Sequence, residues 1–434
     1  MLHSDHHADE YTNPNILGLA ESDTLVINAR SKQLIAEGKH VYKFGLGQSP
    51  FPVPLSVVEC LRLNAPQKDY QPVKGLQILR EAVAEFHRRK DGIGINPDCV
   101  IIGPGSKELV FLLQLVFNSE VIIVSPCWVS YVPQAKILGK EISVIHSRYQ
   151  DKWHLTPKLF EEFLKKRNES NKPALMILNY PGNPDGGSIN ERDLKAIADL
   201  ARKHQIFILS DEIYGQLNHK GTHISIGRFY PEGTIISSGL SKWCGAGGWR
   251  LGTFAFPENL SWILDKMAIV ASETYTSVSA PIQYAAVQAF KGGSEIEEYL
   301  CQARKILANL GKECVYILKK GGVKVHEPTG GFYLFLDFTD FTKKLNTKGI
   351  KTSQQLCSQL LNDSGVAILH GSSFSRPVTE FSARMAYVDF DGAGALAMAK
   401  ATPLHKALPD DFNSVHCKNV IDGVKEIVKW LKAL

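Results

Sequence analysis

Residues 234–252 (TIISSGLSKWCGAGGWRLG) set a lysine and an arginine eight residues apart across a run of glycines. Lys242 follows Gly239, Leu240 and Ser241, whose side chains solvate an ammonium poorly. Such surroundings favour the uncharged amine that a nucleophile requires. Arg250 offers a planar cation suited to an anion, a phosphate in particular. Between them Gly245, Gly247 and Gly248 let the backbone turn tightly and approach a ligand. Taken alone, the stretch reads more simply as a surface loop with a solvated lysine. The reading depends on what else the chain supplies.

It supplies several complementary groups. Residues 103–117 (GPGSKELVFLLQLVF) turn through glycines into an apolar helix, which offers the N–H groups of Gly105, Ser106 and Lys107 to an anion. Trp128, Asn183, Asp211, Tyr214 and Arg384 stand elsewhere in the chain. An aldehyde cofactor with a basic ring nitrogen and a phosphate could use them all. Lys242 would hold it as an imine, and Arg250 with the 105–107 turn would take the phosphate. Three or four charge-assisted bonds of about 1.5–3 kcal/mol each would anchor it, before ordering costs. Asp211 would keep the ring nitrogen protonated, making the ring an electron sink. Trp128 could cover the ring, Tyr214 and Asn183 could bond a phenolate oxygen on it, and Arg384 could clamp a substrate carboxylate. Each also has a plainer reading: Asp211 as a helix cap, Trp128 as a core aromatic, Asn183 as part of a turn, Arg384 as half of a surface ion pair.

The elements around these residues must bring them together. Apolar runs at 100–103, 121–124, 174–178, 205–209, 235–237 and 253–256 read as strands. Helices are expected at 24–37, 76–90, 103–117 and 191–203. Strands alternating with helices imply a mostly parallel sheet covered on both faces, an α/β architecture. Ligands bind such sheets beyond the strands' carboxyl ends, and Trp128, Asn183, Asp211 and Tyr214 all fall just after a strand. A helix at 295–320, strands at 332–338, 366–369 and 384–390, and helices at 353–362 and 420–434 form a smaller α+β domain, to which the N-terminal arm adds. Residues 391–419 take no assignment. Gly45-Leu46-Gly47 is not a dinucleotide fingerprint, because no helix can open into Pro50, Pro52 and Pro54.

Bulk properties narrow the class. The 434 residues call for one large and one smaller domain. A net charge of +5, spread without a basic block, does not suggest nucleic-acid binding. The longest apolar run, 109–117, is too short for a membrane span. The polar start (MLHSDHHADEYTN) is no signal peptide. With eight scattered cysteines and no C-x-x-C pair, zinc sites and disulfides are not expected, and a cytoplasmic enzyme is. His3, His6 and His7 read as part of a disordered polar terminus rather than a metal site.

In combination, Gly105-Ser106-Lys107, Pro126-x-Trp128, Asn183-Pro184-x-Gly186, Asp211-x-x-Tyr214, Ser241-Lys242 with Gly248-Trp249-Arg250-x-Gly252, and Arg384 resemble the fold type I, pyridoxal-phosphate-dependent aminotransferases of class I/II, the aspartate and aromatic aminotransferase group. The resemblance runs from about residue 24 to the C-terminus. It implies a seven-stranded, mostly parallel sheet in a large domain (46–300), a small C-terminal domain (301–434), and an N-terminal arm shared with the latter (1–45). It implies pyridoxal 5'-phosphate held by Lys242, which also moves the reaction's proton. Asp211 would then pair with the ring nitrogen, Tyr214 and Asn183 would contact the phenolate oxygen, and Trp128 would stack. Arg250 and residues 105–107 would hold phosphate. Arg384 and the Gly47 backbone would hold the substrate α-carboxylate. The resemblance further implies a homodimer with Tyr70 reaching the neighbour's phosphate, and a ping-pong exchange between an amino acid and a 2-oxo acid, with glutamate and 2-oxoglutarate as one pair. A C–S lyase or decarboxylase on the same scaffold is the alternative, and a non-catalytic regulatory protein a third reading. Gln48-Ser49, Asp185, Gly239 and His370 depart from the family pattern; Ser241 or Ser238 could stand in for a phosphate-binding serine at 239.

Overall fold

The computed structural model describes residues 11–167, 173–404 and 406–434. His3, His6 and His7 lie outside the described residues. A short strand, β1 (Tyr42–Lys43), precedes seven strands that build the main sheet: β2 (Val100–Gly103), β3 (Glu120–Ser125), β4 (Ile142–His146), β5 (Ala174–Asn179), β6 (Ile206–Asp211), β7 (Thr234–Gly239) and β8 (Gly252–Ala255). Their order is β2-β8-β7-β6-β5-β3-β4, parallel throughout except for β8, which runs antiparallel to both neighbours. This is the expected α/β fold.

The central strands are apolar runs because both faces are covered. Every residue of β7 is buried, as are the first five of β5. Helix Glu191–Lys203 shows how the covering works. Asn190 caps it by accepting from the Asp193 N–H at 3.0 Å, acidic residues open it and Arg202 and Lys203 close it, as the macrodipole favours. Its Leu194, Ile197, Ala198 and Ala201 recur at helical spacing and are fully buried. Burying a leucine or isoleucine contributes about 1.5–3 kcal/mol, so this face fixes the helix to the sheet.

The rest of the chain makes a second layer system. Antiparallel strands β9 (Tyr333–Asp337), β11 (Leu369–His370) and β12 (Ser382–Ala386) form a three-stranded sheet in the order β11-β12-β9. The expected strand at 366–369 is split: β10 (Val366–Ala367) pairs instead with β1. Helix Ser294–Lys320, about 40 Å long, joins the two parts. Its buried face belongs to one apolar cluster with Phe332, Leu334, Val424 and Leu431. The unassigned stretch after 390 contains helices Gly392–Lys400 and Phe412–His416. Among the described residues no helix is long and apolar enough to cross a membrane.

Candidate active site

The carboxyl ends of β2, β3, β5, β6 and β7 open onto a cavity of about 360 Å³. Its wall brings together Ser106, Lys107, Trp128, Asn183, Asp211, Tyr214, Lys242 and Arg250, residues that span nearly 150 positions of sequence. Strand register explains the convergence. Asp211 ends β6 with Asn179 of β5 and Ser237 of β7 as its cross-strand neighbours, and Gly252 of β8 lies opposite both Gly103 and Gly239.

Asp211 is almost wholly buried. Its Oδ2 accepts from the Tyr131 hydroxyl at 2.6 Å, and its Oδ1 from Ser237 Oγ at 3.3 Å and the Ile213 N–H at 3.4 Å. Burial pushes its pKa up, against the pull of these three donors. No lysine, arginine or histidine pairs with it among the described residues, so a buried acceptor faces the cavity without a cation. Asn179 Nδ2 donates to the Asp211 carbonyl at 2.7 Å and Asn179 Oδ1 accepts from the Asn183 N–H at 2.8 Å, which locks the two loops together.

Lys242 follows β7 and is half-buried. Its Nζ donates to the Gly47 carbonyl at 2.8 Å and lies over the rings of Tyr214 and Phe332, at 5.7 and 6.0 Å. Gly47 thus meets the lysine through its carbonyl, where the sequence pointed only to a substrate contact. A Cβ at residue 47 would sit 1.8 Å from the Tyr333 hydroxyl, which explains the glycine.

The cations gather near the 105–107 turn. Arg250, in the left-handed region at φ 57°, donates to the carbonyls of Gly247 and Pro104 at 3.0 and 3.1 Å. Burial, then the charges of Arg250 and Lys242, lower the pKa of Lys107. One expectation needs correcting: the Gly105 N–H donates to the Gly103 carbonyl at 2.7 Å and is not offered to a ligand. Ser106 and Lys107, the first residues of helix Ser106–Val116, keep N–H groups that helix geometry leaves unpaired. Gly105 serves by lacking a side chain, since a Cβ there would lie 2.2 Å from Arg250 Nη2.

Arg384 is no surface ion pair. It is 2% exposed, sandwiched between the rings of Tyr333 and Phe374 at 4.8 and 4.9 Å, and donates to Asn183 Oδ1 at 3.0 Å and to the Gly45 carbonyl. Its Nε has no partner among the described residues. Its bond to Asn183, which lines the cavity, sets it at the edge of the site. Tyr70 lies away from the cavity, 91% exposed. Of the departures, Asp185 turns aside to accept from the Gly187 N–H at 2.9 Å, His370 contacts Ser372 Oγ at 2.7 Å, and Ser241 lines the cavity whereas Ser238 does not.

Sequence reasoning missed Tyr131, Asn179 and Tyr333, whose hydroxyl lies 2.9 Å from that of Tyr214. It also passed over a buried network beneath the site. Glu212 accepts from Ser210 and Ser225 at 2.7 and 2.6 Å, and its other oxygen meets His223 Nε2 at 2.8 Å.

This geometry agrees with what the chain resembles. Residues 39–388 match the family described as aminotransferase class I and II. The chain belongs to that family. It is 31% identical to an asparagine–oxo-acid transaminase of Streptococcus mutans over 83% of this chain and 91% of the relative. The aspartate aminotransferase of Geobacillus stearothermophilus is 30% identical over the same shares. The solved aspartate aminotransferase from Thermus thermophilus with maleate superposes with a TM-score of 0.81 at 25% identity, covering 96% of this chain and 99% of the other. Class I/II aminotransferases of this kind use pyridoxal 5'-phosphate, and the protein is a pyridoxal-phosphate-dependent transaminase. The cavity fits that group: cations and free amides cluster at one turn, a buried carboxylate lacks a cation, and a lysine amine lies among aromatic faces.

Proposed function

We propose that this aminotransferase moves an amino group between an L-amino acid and a 2-oxo acid, with glutamate and 2-oxoglutarate as one pair. The observation that carries the reading is the convergence of Lys242, Asp211 and Arg250 on one cavity. When bound, the cofactor supplies the aldehyde that accepts the amine and the ring that absorbs the electrons released at the substrate α-carbon. Lys242 would hold the cofactor covalently at rest, and its Nζ, freed when the substrate amine takes its place, would carry the proton to and from that carbon. Asp211 pairs with the ring nitrogen, held in its ionised form by Tyr131, Ser237 and the Ile213 amide. Arg250, Ser106 and Lys107 bind the phosphate, Trp128 covers the ring, and Tyr214 and Asn183 bond the phenolate oxygen. Arg384, fixed by Tyr333 and Phe374, takes the α-carboxylate together with Gly47 and Asn183.

We further place the large cofactor-binding domain at 46–300, the small domain at 301–434 and the arm at 1–45. The protein acts as a homodimer, in which an outward-facing Tyr70 serves the neighbouring site. The transaminase names of its relatives speak against a C–S lyase. Amino donors offered with 2-oxoglutarate should yield glutamate and the donor's 2-oxo acid in equal amounts; ammonia and pyruvate without glutamate would refute the reading.

A further inference from the structure

A second concavity, of about 480 Å³, lies away from the cofactor cavity, and its wall is basic. Three separate segments build it. Helix Ser294–Lys320 contributes Cys301, Arg304, Lys305, Ala308, Asn309 and Lys312, spaced at i, i+3, i+4, i+7, i+8 and i+11 and so along one face. The turn after Tyr214 adds His219 and Lys220. The third wall is made by Leu404 and by residues 406–408, within the stretch left without a predicted element, and it adds Lys406 with Leu404 and Leu408. Among the described residues, five lysines and arginines therefore face one hollow, and no aspartate or glutamate lines it. None of the five forms an ion pair among the described residues.

Two of these cations are held in place rather than waving in solvent. Arg304, half-buried, donates through Nε to the Gln216 carbonyl at 2.7 Å, and Lys305 Nζ to the Pro403 carbonyl at 3.2 Å. Burial lowers the pKa of Arg304, with the charges of Glu297 and Cys301 opposing. The far end of the third wall is tied to the same helix, where Asn413 Nδ2 donates to Glu313 Oε2 at 2.7 Å and Phe412 is buried. Like charges gathered in a shared concavity repel one another, and a bound anion relieves the repulsion. The volume falls in the range of small-molecule sites. Leu404, Leu408 and Ala308 add apolar surface beside the charges.

We propose that this hollow is a binding site for a small organic phosphate carrying two or more negative charges. Arg304 supplies the planar fork, Lys305 and Lys312 supply point charges, and the apolar residues meet the ligand's carbon skeleton. The test uses the cofactor-loaded protein, so that the phosphate-binding turn at 105–107 is already filled, and inorganic pyrophosphate as the probe. Calorimetric titration at constant ionic strength should show one saturable site per chain. Lys305→Glu with Lys312→Glu should weaken it at least about tenfold, while Lys425→Glu with Lys432→Glu, the same change of net charge on the C-terminal helix, should leave it unaltered. Transamination and cofactor absorbance should be unchanged in both variants, as a check on folding. No saturable binding, or equal weakening in both pairs, would overturn the assignment. So would a short DNA duplex that bound more tightly than pyrophosphate and was lost in the first pair.

Discussion

The Tyr131→Phe substitution removes one oxygen and tests the account of Asp211. The lost bond is short, 2.6 Å, and both partners are buried. Tyr131 stays protonated, because burial and then the Asp211 charge push its own pKa well above the ordinary value. It is thus a fixed donor to an ionised acceptor, an interaction of about 1.5–3 kcal/mol. Losing it leaves Ser237 and the Ile213 amide, at 3.3 and 3.4 Å, to hold the charge. Any quantity that needs Asp211 ionised should fall by a factor of about 10–150. The sign with pH follows. Burial already raises the Asp211 pKa, Tyr131 opposes that, and the variant's carboxyl holds its proton to still higher pH. The acid limb of kcat/KM should move to higher pH, and cofactor affinity should drop most on the acid side. In the cofactor-free protein, a carboxyl whose folded pKa exceeds its unfolded value loses stability as pH rises through that interval. The variant should therefore be destabilised more above that interval than below it. Affinity by equilibrium titration and kcat/KM across pH measure both. An unchanged acid limb with unchanged cofactor affinity would refute the reasoning.

Three further outcomes are expected. Arg384→Lys keeps a charge but loses the planar fork, at a cost of about 1.5–3 kcal/mol per missing bond; KM for amino acid and 2-oxo acid should both rise about 10- to 150-fold, and a change for one alone would count against a shared α-carboxylate site. Gly252→Ala would place a Cβ 2.2 Å from the Ser106 nitrogen and 2.5 Å from the Gly105 carbonyl carbon, both backbone atoms. It should lower the melting temperature and cofactor retention on gel filtration, at about 1–3 kcal/mol or more. For His223, burial lowers the pKa, but the charge and hydrogen bond of Glu212, with Asp91, outweigh burial and the opposing Arg228, and the net shift is upward. Its contribution to stability should be complete below about pH 6.5 and fade as pH rises through the raised value; Glu212→Gln should flatten that dependence in thermal melts.

How far the sequence could be read depended on whether a residue's role was local. Helix Glu191–Lys203 announces itself through its cap, charge asymmetry and apolar spacing, and it forms where expected. The parallel strands were visible as apolar runs because the sheet is covered on both faces. Strand β4 was not, since it lies at the sheet's edge, is mostly half-buried and mixes polar with apolar residues. Helix Gly392–Lys400 was hidden by two glycines of low propensity; Asp391 nucleates it by accepting from the Ala393 and Gly394 N–H groups, both at 3.1 Å. Lys242, Asp211 and Arg250 could be singled out because their types and flanking glycines imply chemistry. Tyr131 and Tyr333 matter only through partners 80 and 119 residues away, and no local pattern marks such pairs. The Gly105 N–H went astray for the same reason: whether a turn amide is spent internally is decided by the fold.

Covalent trapping tests the central claim most directly. The protein loaded with pyridoxal 5'-phosphate is reduced with borohydride, digested, and read by mass spectrometry. The account predicts one cofactor-derived mass addition per chain, on the peptide containing Lys242, and neither addition nor yellow absorbance in Lys242→Ala. Cofactor fixed to another lysine, or an unchanged spectrum in that variant, would contradict it.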